Sequence, residues 1–368
     1  MQISALNEIG QPVDWWFIYK VPKLGSGISG NESATGYEYV YYDSEIDGAK
    51  GEIKRSPNVL GDGKGALDRT LASVFGKYPN ADDSTGWILY NDEYPDGVGK
   101  GDLSTYGHTK GVLCYDIASD TAFWLLHSWP KFVEPGAKQD PTPMYGQTYL
   151  CLSLDVDTAR KLASQMMTHQ EPQVYYPRIA QGLAAGDPLV GLTNSVNVNA
   201  PADSNVIDLA TRGNLPFKVI AKNRNWNQDF WNDLVGPTLQ EDMDVESWIR
   251  GAIPPIADSD GIHKTFDIKY ITMGPLGIHW AWPESQDHAK WGITKKSDWV
   301  CVGDINRMIS QRKRGGCTIA FQNETLWNAL TRTSLVLAPP GHSRTQAHDV
   351  IDKAKRSVPA HGSGGQMS

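Results

Sequence analysis

The 368-residue sequence has no apolar run that approaches the roughly 20 residues needed to cross a bilayer, and its mean hydropathy is low, at -0.41. This absence counts against a helical membrane protein. Residues 1–4 show neither the basic nor the apolar segment of a secretion signal, so we expect such a signal to be absent or already removed. The cellular compartment therefore stays open.

Cysteine is scarce, and no Cys-x-x-Cys spacing occurs among Cys114, Cys151, Cys301 and Cys317, which argues against a zinc site. Cys301 and Cys317 each lie in a β-rich segment and could bridge neighbouring strands. Buried free thiols in a reducing compartment are an equally good interpretation. Disulfides would favour a secreted or vesicular protein.

Basic residues are outnumbered, with 34 Lys and Arg against 42 Asp and Glu, for a formal charge of -8. This balance argues against nucleic-acid binding at neutral pH, and composition alone fits an ordinary mildly acidic protein. Protonation of all nine histidines would bring the charge to about +1 near pH 5. If the partner is polyanionic, the composition favours acidic working conditions.

Strand and helix patterns alternate along the chain, which predicts an α/β architecture. Alternating apolar and aromatic runs predict strands at residues 13–19, 37–42, 87–90, 112–115, 122–126, 149–154, 217–221, 266–272, 291–294, 300–303 and 318–321. Apolar residues at helical spacing predict helices at residues 66–75, 158–167 after an Asp157 N-cap, 228–234, and 324–330 after an Asn323 N-cap.

The composition divides the chain into two halves. Residues 1–180 and 205–336 carry the predicted elements, and residues 181–204, rich in Gly, Pro, Asn and Ala, form the expected connection. Residues 337–368 lose apolar periodicity and are predicted to form a mobile polar tail. A single ancient duplication is the internal repeat to consider.

The residues that indicate chemistry are His108-Thr-Lys110 and His288-Ala-Lys290, one His-x-Lys triplet in each half. Residues two apart on an extended strand face the same way, so each triplet can direct an imidazole and an ammonium at one phosphate. Two facing triplets would make a phosphodiester-cleaving site without metal. Chance alone supplies roughly half a match in such a chain, so the flanking residues decide.

The first triplet follows Gly107 and precedes an apolar strand, which gives it a rigid position. The next predicted strand ends at His127 and Ser128, which could lie beside the triplet and add an imidazole and a hydroxyl donor. A hydrogen-bonded strand-end histidine is an equally good interpretation of His127.

The second triplet is followed by a strand and a polar turn in which Gly303, Asp304 and Asn306 could orient a histidine. The densest basic cluster of the chain lies nearby. Such clusters are usually solvated loops, but beside a phosphate site this one could bind a nucleic-acid backbone. It consists of Lys295, Lys296, Arg307, Arg312, Lys313 and Arg314.

These residues resemble the deoxyribonuclease II family, which is related to the phospholipase D superfamily. The most specific signatures are Gly-His-Thr-Lys-Gly-Val-Leu at residues 107–113 and Asp-His-Ala-Lys-Trp at 287–291. The resemblance covers most of the chain and leaves out the tail; its other blocks are residues 10–15, 19–20, 89–92, 124–128, 145–148, 301–307 and 315–316.

The resemblance implies metal-independent, cofactor-free hydrolysis of double-stranded DNA in acid, leaving 3′-phosphate and 5′-hydroxyl ends. His108 would attack phosphorus, His288 would protonate the leaving oxygen, and Lys110 and Lys290 would neutralise the phosphoryl oxygens. It also implies a phospholipase D-like fold of two pseudo-symmetric α/β halves, each with a mixed sheet flanked by helices. We further expect an acidic vesicular, periplasmic or extracellular setting, and favour a homodimer.

The sequence departs from the superfamily pattern, so the residue that orients each motif histidine stays open. The aspartate expected five residues after each lysine is replaced by Tyr115 and Lys295. Asp304, Asp116 and Asn91 are the candidates to orient the histidines. The open alternatives in function are a phosphodiesterase acting on lipid headgroups, which lacks support from a membrane-binding segment, and a catalytically silent DNA-binding relative.

Overall fold

The apolar and aromatic runs of the first half form one eight-stranded antiparallel sheet in the computed structural model, which describes residues 2–25, 32–98, 106–132, 135, 144–194, 200–249 and 262–336. Its strand order is β10-β6-β7-β8-β9-β3-β4-β5, and a small β1-β2 hairpin lies apart from it. The strands are β1 (Ala5–Leu6), β2 (Pro12–Val13), β3 (Trp15–Lys20), β4 (Tyr39–Asp43), β5 (Lys54–Arg55), β6 (Thr85–Asn91), β7 (Lys110–Asp116), β8 (Thr121–His127), β9 (Gln147–Leu154) and β10 (Val174–Arg178).

The second half forms a nine-stranded mixed sheet in the order β11-β12-β18-β17-β16-β13-β14-β15, with β19 also paired to β14. Only β13 and β14 run parallel among the described strands of this sheet. The strands are β11 (Ser204–Ala210), β12 (Pro216–Lys222), β13 (Met243–Ser247), β14 (Thr265–Thr272), β15 (Ala281–Pro283), β16 (Lys290–Thr294), β17 (Trp299–Gly303), β18 (Gly316–Gln322) and β19 (Ser334–Val336).

The described residues form fewer helices than strands. They are α1 (Ser44–Gly48), α2 (Ala66–Phe75), α3 (Val156–Gln165), α4 (Pro188–Asn194), α5 (Gly236–Leu239) and α6 (Glu324–Thr333), with π-helical turns at Met166–Gln170 and Trp231–Val235 and 3-10 turns at Gly274–Leu276, Glu284–Gln286 and Ile309–Lys313. None of the helices in the described part of the chain has the length and apolar content to span a membrane.

Helix caps test the predicted boundaries. The Asn323 side chain accepts a hydrogen bond from Leu326 N at 2.8 Å and caps α6, as predicted. The predicted Asp157 cap is wrong, because Asp155 accepts from Thr158 N at 2.7 Å and α3 begins two residues earlier. The segment predicted as a helix at 228–234 contains a π-helical turn instead.

One hydrophobic core joins the two halves, because the inner faces of both sheets contribute to the same cluster. Trp15 of the first sheet contacts Phe321 of the second, with ring centroids 5.7 Å apart. Helices α3 and α6 pack into this cluster, whereas α2 covers the outer face of the first sheet. Burial of this apolar surface is the main force holding the halves together.

The predicted α/β class with two sheet-containing halves is confirmed. The strands of the first sheet end at Arg178 and those of the second begin at Ser204. The boundaries at residues 180, 204 and 336 remain a prediction, and the predicted tail at 337–368 lies outside the described residues.

All four cysteines are free and buried, so the suggested Cys301–Cys317 bridge is wrong. Cys301 pairs in register with Ala320, three residues from Cys317, so the two side chains point to opposite faces of the second sheet. Cys114 and Cys151 lie on β7 and β9, which β8 separates. The register therefore excludes the Cys301–Cys317 bridge, and the intervening strand separates Cys114 from Cys151.

We predict that the native protein reacts slowly with a thiol reagent, because every sulfur is buried. Unfolding in denaturant without reductant should release four reactive thiols per chain. Quantitative thiol titration before and after unfolding checks this. Two thiols or none after unfolding would contradict the free-cysteine arrangement.

Candidate active site

The two His-x-Lys triplets lie at equivalent places, because Lys110 is the first residue of β7 and Lys290 the first of β16. Each histidine is held by the opposite half of the molecule. His108 N donates to the carbonyl of Gly315 at 2.9 Å, and His288 N donates to the carbonyl of Gly146 at 2.9 Å. This exchange of hydrogen bonds brings the two triplets into one site between the sheets.

Both glycines are required by close packing. A Cβ atom on Gly146 would lie within 2.7 Å of the Asp287 carboxylate, and one on Gly315 would lie 2.7 Å from the carbonyl oxygen of Gln170. Real Cβ atoms essentially never approach other heavy atoms so closely. Only glycine lets the backbone of each half reach the histidine of the other.

The next strands repeat the same arrangement in each half. Ser128 follows β8, and its hydroxyl accepts from Thr148 N at 3.0 Å. Asp304 follows β17, and its Oδ1 accepts from Cys317 N at 2.9 Å. These two predicted site residues therefore occupy equivalent positions and hold the strand that carries the bonding glycine.

A buried lysine supports each glycine segment. Lys20, the last residue of β3, donates to the carbonyl of Tyr145, and Lys222, the last residue of β12, donates to the carbonyl of Arg314. Burial lowers the pKa of both ammonium groups to about 7. Sequence reasoning missed this pair, whose signal is a lysine that ends an otherwise apolar strand.

Asp92 is the carboxylate of the first half-site, and sequence reasoning did not assign it a role. It forms ion pairs with Lys110, with Arg314 at 3.3 Å, and with His108 Nε2 at 3.6 Å. Burial alone would raise the pKa of Asp92, but the neighbouring Lys110, His108 and Arg314 lower it well below its usual value. Asp92 is therefore an anion that offsets the charges of Lys110 and Arg314 and faces the His108 ring.

His108 is a neutral imidazole with a defined orientation. Its Nδ1 contacts the main-chain carbonyl of Asp304, so Nδ1 carries the proton and Nε2 keeps its lone pair. Burial and then the charge of Lys110 lower the pKa of His108 well below its usual value, and Asp92 opposes them only in part. The residue that orients His108 is thus Asp304, through its backbone.

His288 lies against two aromatic rings. The Tyr145 ring stacks on the imidazole at 3.9 Å with an angle of 11° between the planes, and Trp248 lies 4.2 Å away. Lys290 Nζ donates to the carbonyl of His288 at 2.5 Å, and burial lowers the pKa of Lys290 to about 7. Sequence reasoning gave neither ring a role.

Asp287, next to His288, holds the second triplet in place. Its carboxylate accepts from Tyr19 Oη at 2.5 Å, Trp282 Nε1 at 2.6 Å and Ala289 N at 2.8 Å. The first of these bonds crosses from one half to the other. The signal in the sequence was the acid directly before the second histidine.

The remaining predicted supporting residues are Asn91, His127 and Asn306. Asn91 pairs in register with Lys110, but its amide donates to the carbonyl of Trp129 at 3.1 Å. His127 is buried and its Nδ1 accepts from Trp129 N at 3.2 Å. Asn306 is also buried. Their roles stay a prediction.

Asp116 cannot orient a histidine, so this prediction is wrong. It ends β7 at the opposite edge from Lys110, where its carboxylate accepts from Ser84 and Thr85, both at 3.0 Å. The sequence placed Asp116 near the superfamily position, but Asp116 and the motif residue Lys110 lie at opposite ends of the seven-residue strand β7.

The predicted basic surface is partly internal. Arg307 is buried and donates to Asp267 at 2.9 Å, so it is not free to bind a DNA backbone. Lys295 bonds Asp244, and Arg314 belongs to the first half-site. The remaining members stay candidates for backbone binding: Lys296, Arg312 and Lys313.

Among the residues that the structure describes, no group of three or more His, Cys, Asp or Glu side chains is arranged to hold a metal ion. The positive charges that act on His108 come from Lys110, Lys290 and Arg314.

Two equivalent His-x-Lys half-sites that meet between two sheets define a two-half α/β protein with one composite basic site. A model of the family described as Deoxyribonuclease II matches residues 4–338. The chain belongs to the deoxyribonuclease II family.

Relatives match over nearly their whole lengths. A protein named putative deoxyribonuclease-2 from Burkholderia pseudomallei is 59% identical over 96% of this chain and 98% of its own. Deoxyribonuclease-2-alpha of Sus scrofa is 30% identical over 89% of this chain and 88% of its own. Cell-death-related nuclease 7 of Caenorhabditis elegans is 31% identical over 89% of this chain and 85% of its own.

Glu246 is a buried acid close to the second half-site. Burial raises its pKa well above the usual value, and Asp287 and Glu284 raise it further. Neither carboxyl oxygen of Glu246 has a hydrogen-bond partner within the described ranges. Protonation of Glu246 therefore stabilises the fold fully below the unfolded pKa of 4.5, and this stabilisation is lost as the pH rises through the folded pKa.

We predict that Glu246→Gln flattens the dependence of the free energy of unfolding on pH. Above pH 4.5 the native protein should lose stability as the pH rises, by up to about 1.4 kcal/mol per pH unit from this group. The neutral amide removes that loss, whereas Glu52→Gln at an exposed position should not. Urea unfolding between pH 4.5 and 8 measures the difference, and parallel curves for wild type and Glu246→Gln would contradict it.

Proposed function

We propose that this protein is an acid endonuclease that cleaves DNA phosphodiester bonds without a metal ion and leaves 3′-phosphate and 5′-hydroxyl ends. As a member of the deoxyribonuclease II family, it is a DNA-hydrolysing nuclease. The observation that carries the mechanism is the convergence of two histidines with different surroundings in one site. In such a mechanism the imidazole that attacks phosphorus must be neutral, whereas the imidazole that acts as the general acid must be protonated.

His108 is the nucleophile in this proposal. Its Nδ1–H is bound to the Asp304 carbonyl, and its lowered pKa keeps Nε2 unprotonated in mild acid. Nε2 attacks phosphorus, a nitrogen–phosphorus bond forms, and the bond between phosphorus and the 5′-oxygen breaks. Asp92 beside Nε2 stabilises the positive charge that develops on the ring.

His288 is the acid and then the base. In its protonated form it gives a proton to the leaving 5′-oxygen, which departs as a hydroxyl. The neutral imidazole then takes a proton from water as the water oxygen attacks phosphorus. The nitrogen–phosphorus bond breaks, the 3′-phosphate leaves, and His108 and protonated His288 are restored.

Lys110 and Lys290 balance the charge on the phosphoryl oxygens. Each enters the site from the start of its strand, and both lie close enough to His108 to lower its pKa. Because the pKa of Lys290 is about 7, this lysine is charged in acid and loses its proton above neutrality. Acid therefore supplies the cation as well as the proton of His288.

We predict that wild-type protein nicks supercoiled plasmid at pH 5 in EDTA and loses this activity at pH 8, where Lys290 is uncharged. His108→Ala and His288→Ala should each lower the rate at least about 100-fold, since each removes a reacting group. Gel analysis of initial nicking rates measures this.

His279→Ala is the matched control, because this histidine lies in the β14–β15 connection, where its carbonyl accepts from Glu32 N. It should nick at the wild-type rate. A requirement for an added divalent ion would overturn the metal-free mechanism, and near-normal nicking by either motif variant would remove that histidine from the proposed chemistry.

A further inference from the structure

The two half-sites place different side chains at equivalent positions. The residue before each bonding glycine is Arg314 in one case and Tyr145 in the other, ahead of Gly315 and Gly146. The main-chain carbonyls of Tyr145 and Arg314 each accept a hydrogen bond from a buried lysine at the end of a strand. The two backbone positions are therefore equivalent, and their side chains differ.

A second pair of positions differs in the same way. Asp92 follows Asn91, which pairs in register with the motif lysine of the first half. Trp248 follows Ser247, which pairs in register with the motif lysine of the second half. The fold thus provides two flanking positions to each histidine.

The first half-site fills these positions with charge and the second with aromatic rings. Arg314 and Asp92 form an ion pair at 3.3 Å. Tyr145 stacks on His288 at 3.9 Å, and Trp248 lies 4.2 Å from the same imidazole. The charged groups of the first half-site interact electrostatically with a phosphate and with an imidazole that becomes positively charged. The aromatic rings of the second half-site can stack on the face of a nucleobase.

Tyr145 combines a fixed backbone with an exposed ring. Its carbonyl is bound by Lys20, and the adjoining Gly146 donates to the Gln286 carbonyl at 2.8 Å and accepts from His288 N. Yet 37% of Tyr145 remains exposed, although one face of its ring covers the imidazole. A rigid aromatic ring with accessible surface, beside a reacting group, is arranged to receive a ligand.

We propose that Tyr145 is a stacking platform for the nucleobase on the 5′-oxygen side of the cleaved bond. The inference rests on the proposed function, in which His288 protonates that oxygen. Since Tyr145 lies directly behind the imidazole, the base attached to the leaving nucleoside is the one within its reach. The ligand class is a nucleobase of any identity, because every base presents a π face.

The test is a double-mutant cycle between the protein and the DNA. Substrates are oligonucleotides with one cleavable phosphodiester, the other linkages being methylphosphonates, and with either a base or an abasic residue on the 5′-oxygen side. Removing the base should lower wild-type kcat/KM by about 5- to 100-fold. Tyr145→Leu should cause a similar loss on the intact substrate and almost no loss on the abasic one.

Further variants separate stacking from a purely structural role. Tyr145→Phe keeps the ring and should retain wild-type kcat/KM and wild-type discrimination. Tyr176→Leu changes another exposed tyrosine, on β10, and should leave both unchanged. An abasic residue on the 3′-phosphate side should leave the effect of Tyr145→Leu intact.

Equal losses on intact and abasic substrates in Tyr145→Leu would overturn the proposal, because a ring that only supports His288 does not sense the base. Full activity of Tyr145→Leu on the intact substrate would overturn it as well. If wild-type protein cleaves neither substrate, the proposed function fails first, and the two failures are thereby distinguished.

Discussion

The exchange of main-chain hydrogen bonds between the halves is the constraint on which the site depends. His108 N binds the Gly315 carbonyl, His288 N binds the Gly146 carbonyl, and each bond is 2.9 Å long. Neither half contains both partners of either bond. The shared apolar core holds the sheets together, and the two bonds convert that packing into a fixed relation between the imidazoles.

In the proposed mechanism, buried ionisable groups are the source of the dependence on acid. Lys20, Lys222 and Lys290 all have pKa values lowered to about 7 by burial, and burial raises the pKa of Asp304 to about 7. Below neutrality the three lysines are charged and Asp304 is neutral, which favours an anionic ligand. Protonation of Asp304 and Glu246 favours a stable fold in mild acid, whereas the lowered pKa values of the three lysines favour stability at higher pH.

The sequence predicted the features that are local to the chain. Strand periodicity placed both triplets at strand starts, and the flanks of the triplets indicated the family. It did not predict Asp92, Tyr145 or Trp248, because strand pairing brings them to the histidines from distant parts of the chain. It misassigned Asp116 because the number of residues between Asp116 and the motif does not reveal which end of the strand faces the site. Arg307 was misread for a related reason, since only the fold reveals its buried carboxylate partners.

The central claim is that one composite site uses two histidines for different steps, with His108 as the nucleophile. Trapping the covalent intermediate tests it most directly: cleavage at pH 5 in EDTA is quenched with alkaline detergent, and the protein is digested and its DNA-linked peptides are identified by mass. The account predicts a 3′-phosphoryl adduct on the peptide that contains His108. An adduct on the His288 peptide, or turnover without any adduct under conditions that preserve phosphohistidine, would contradict it.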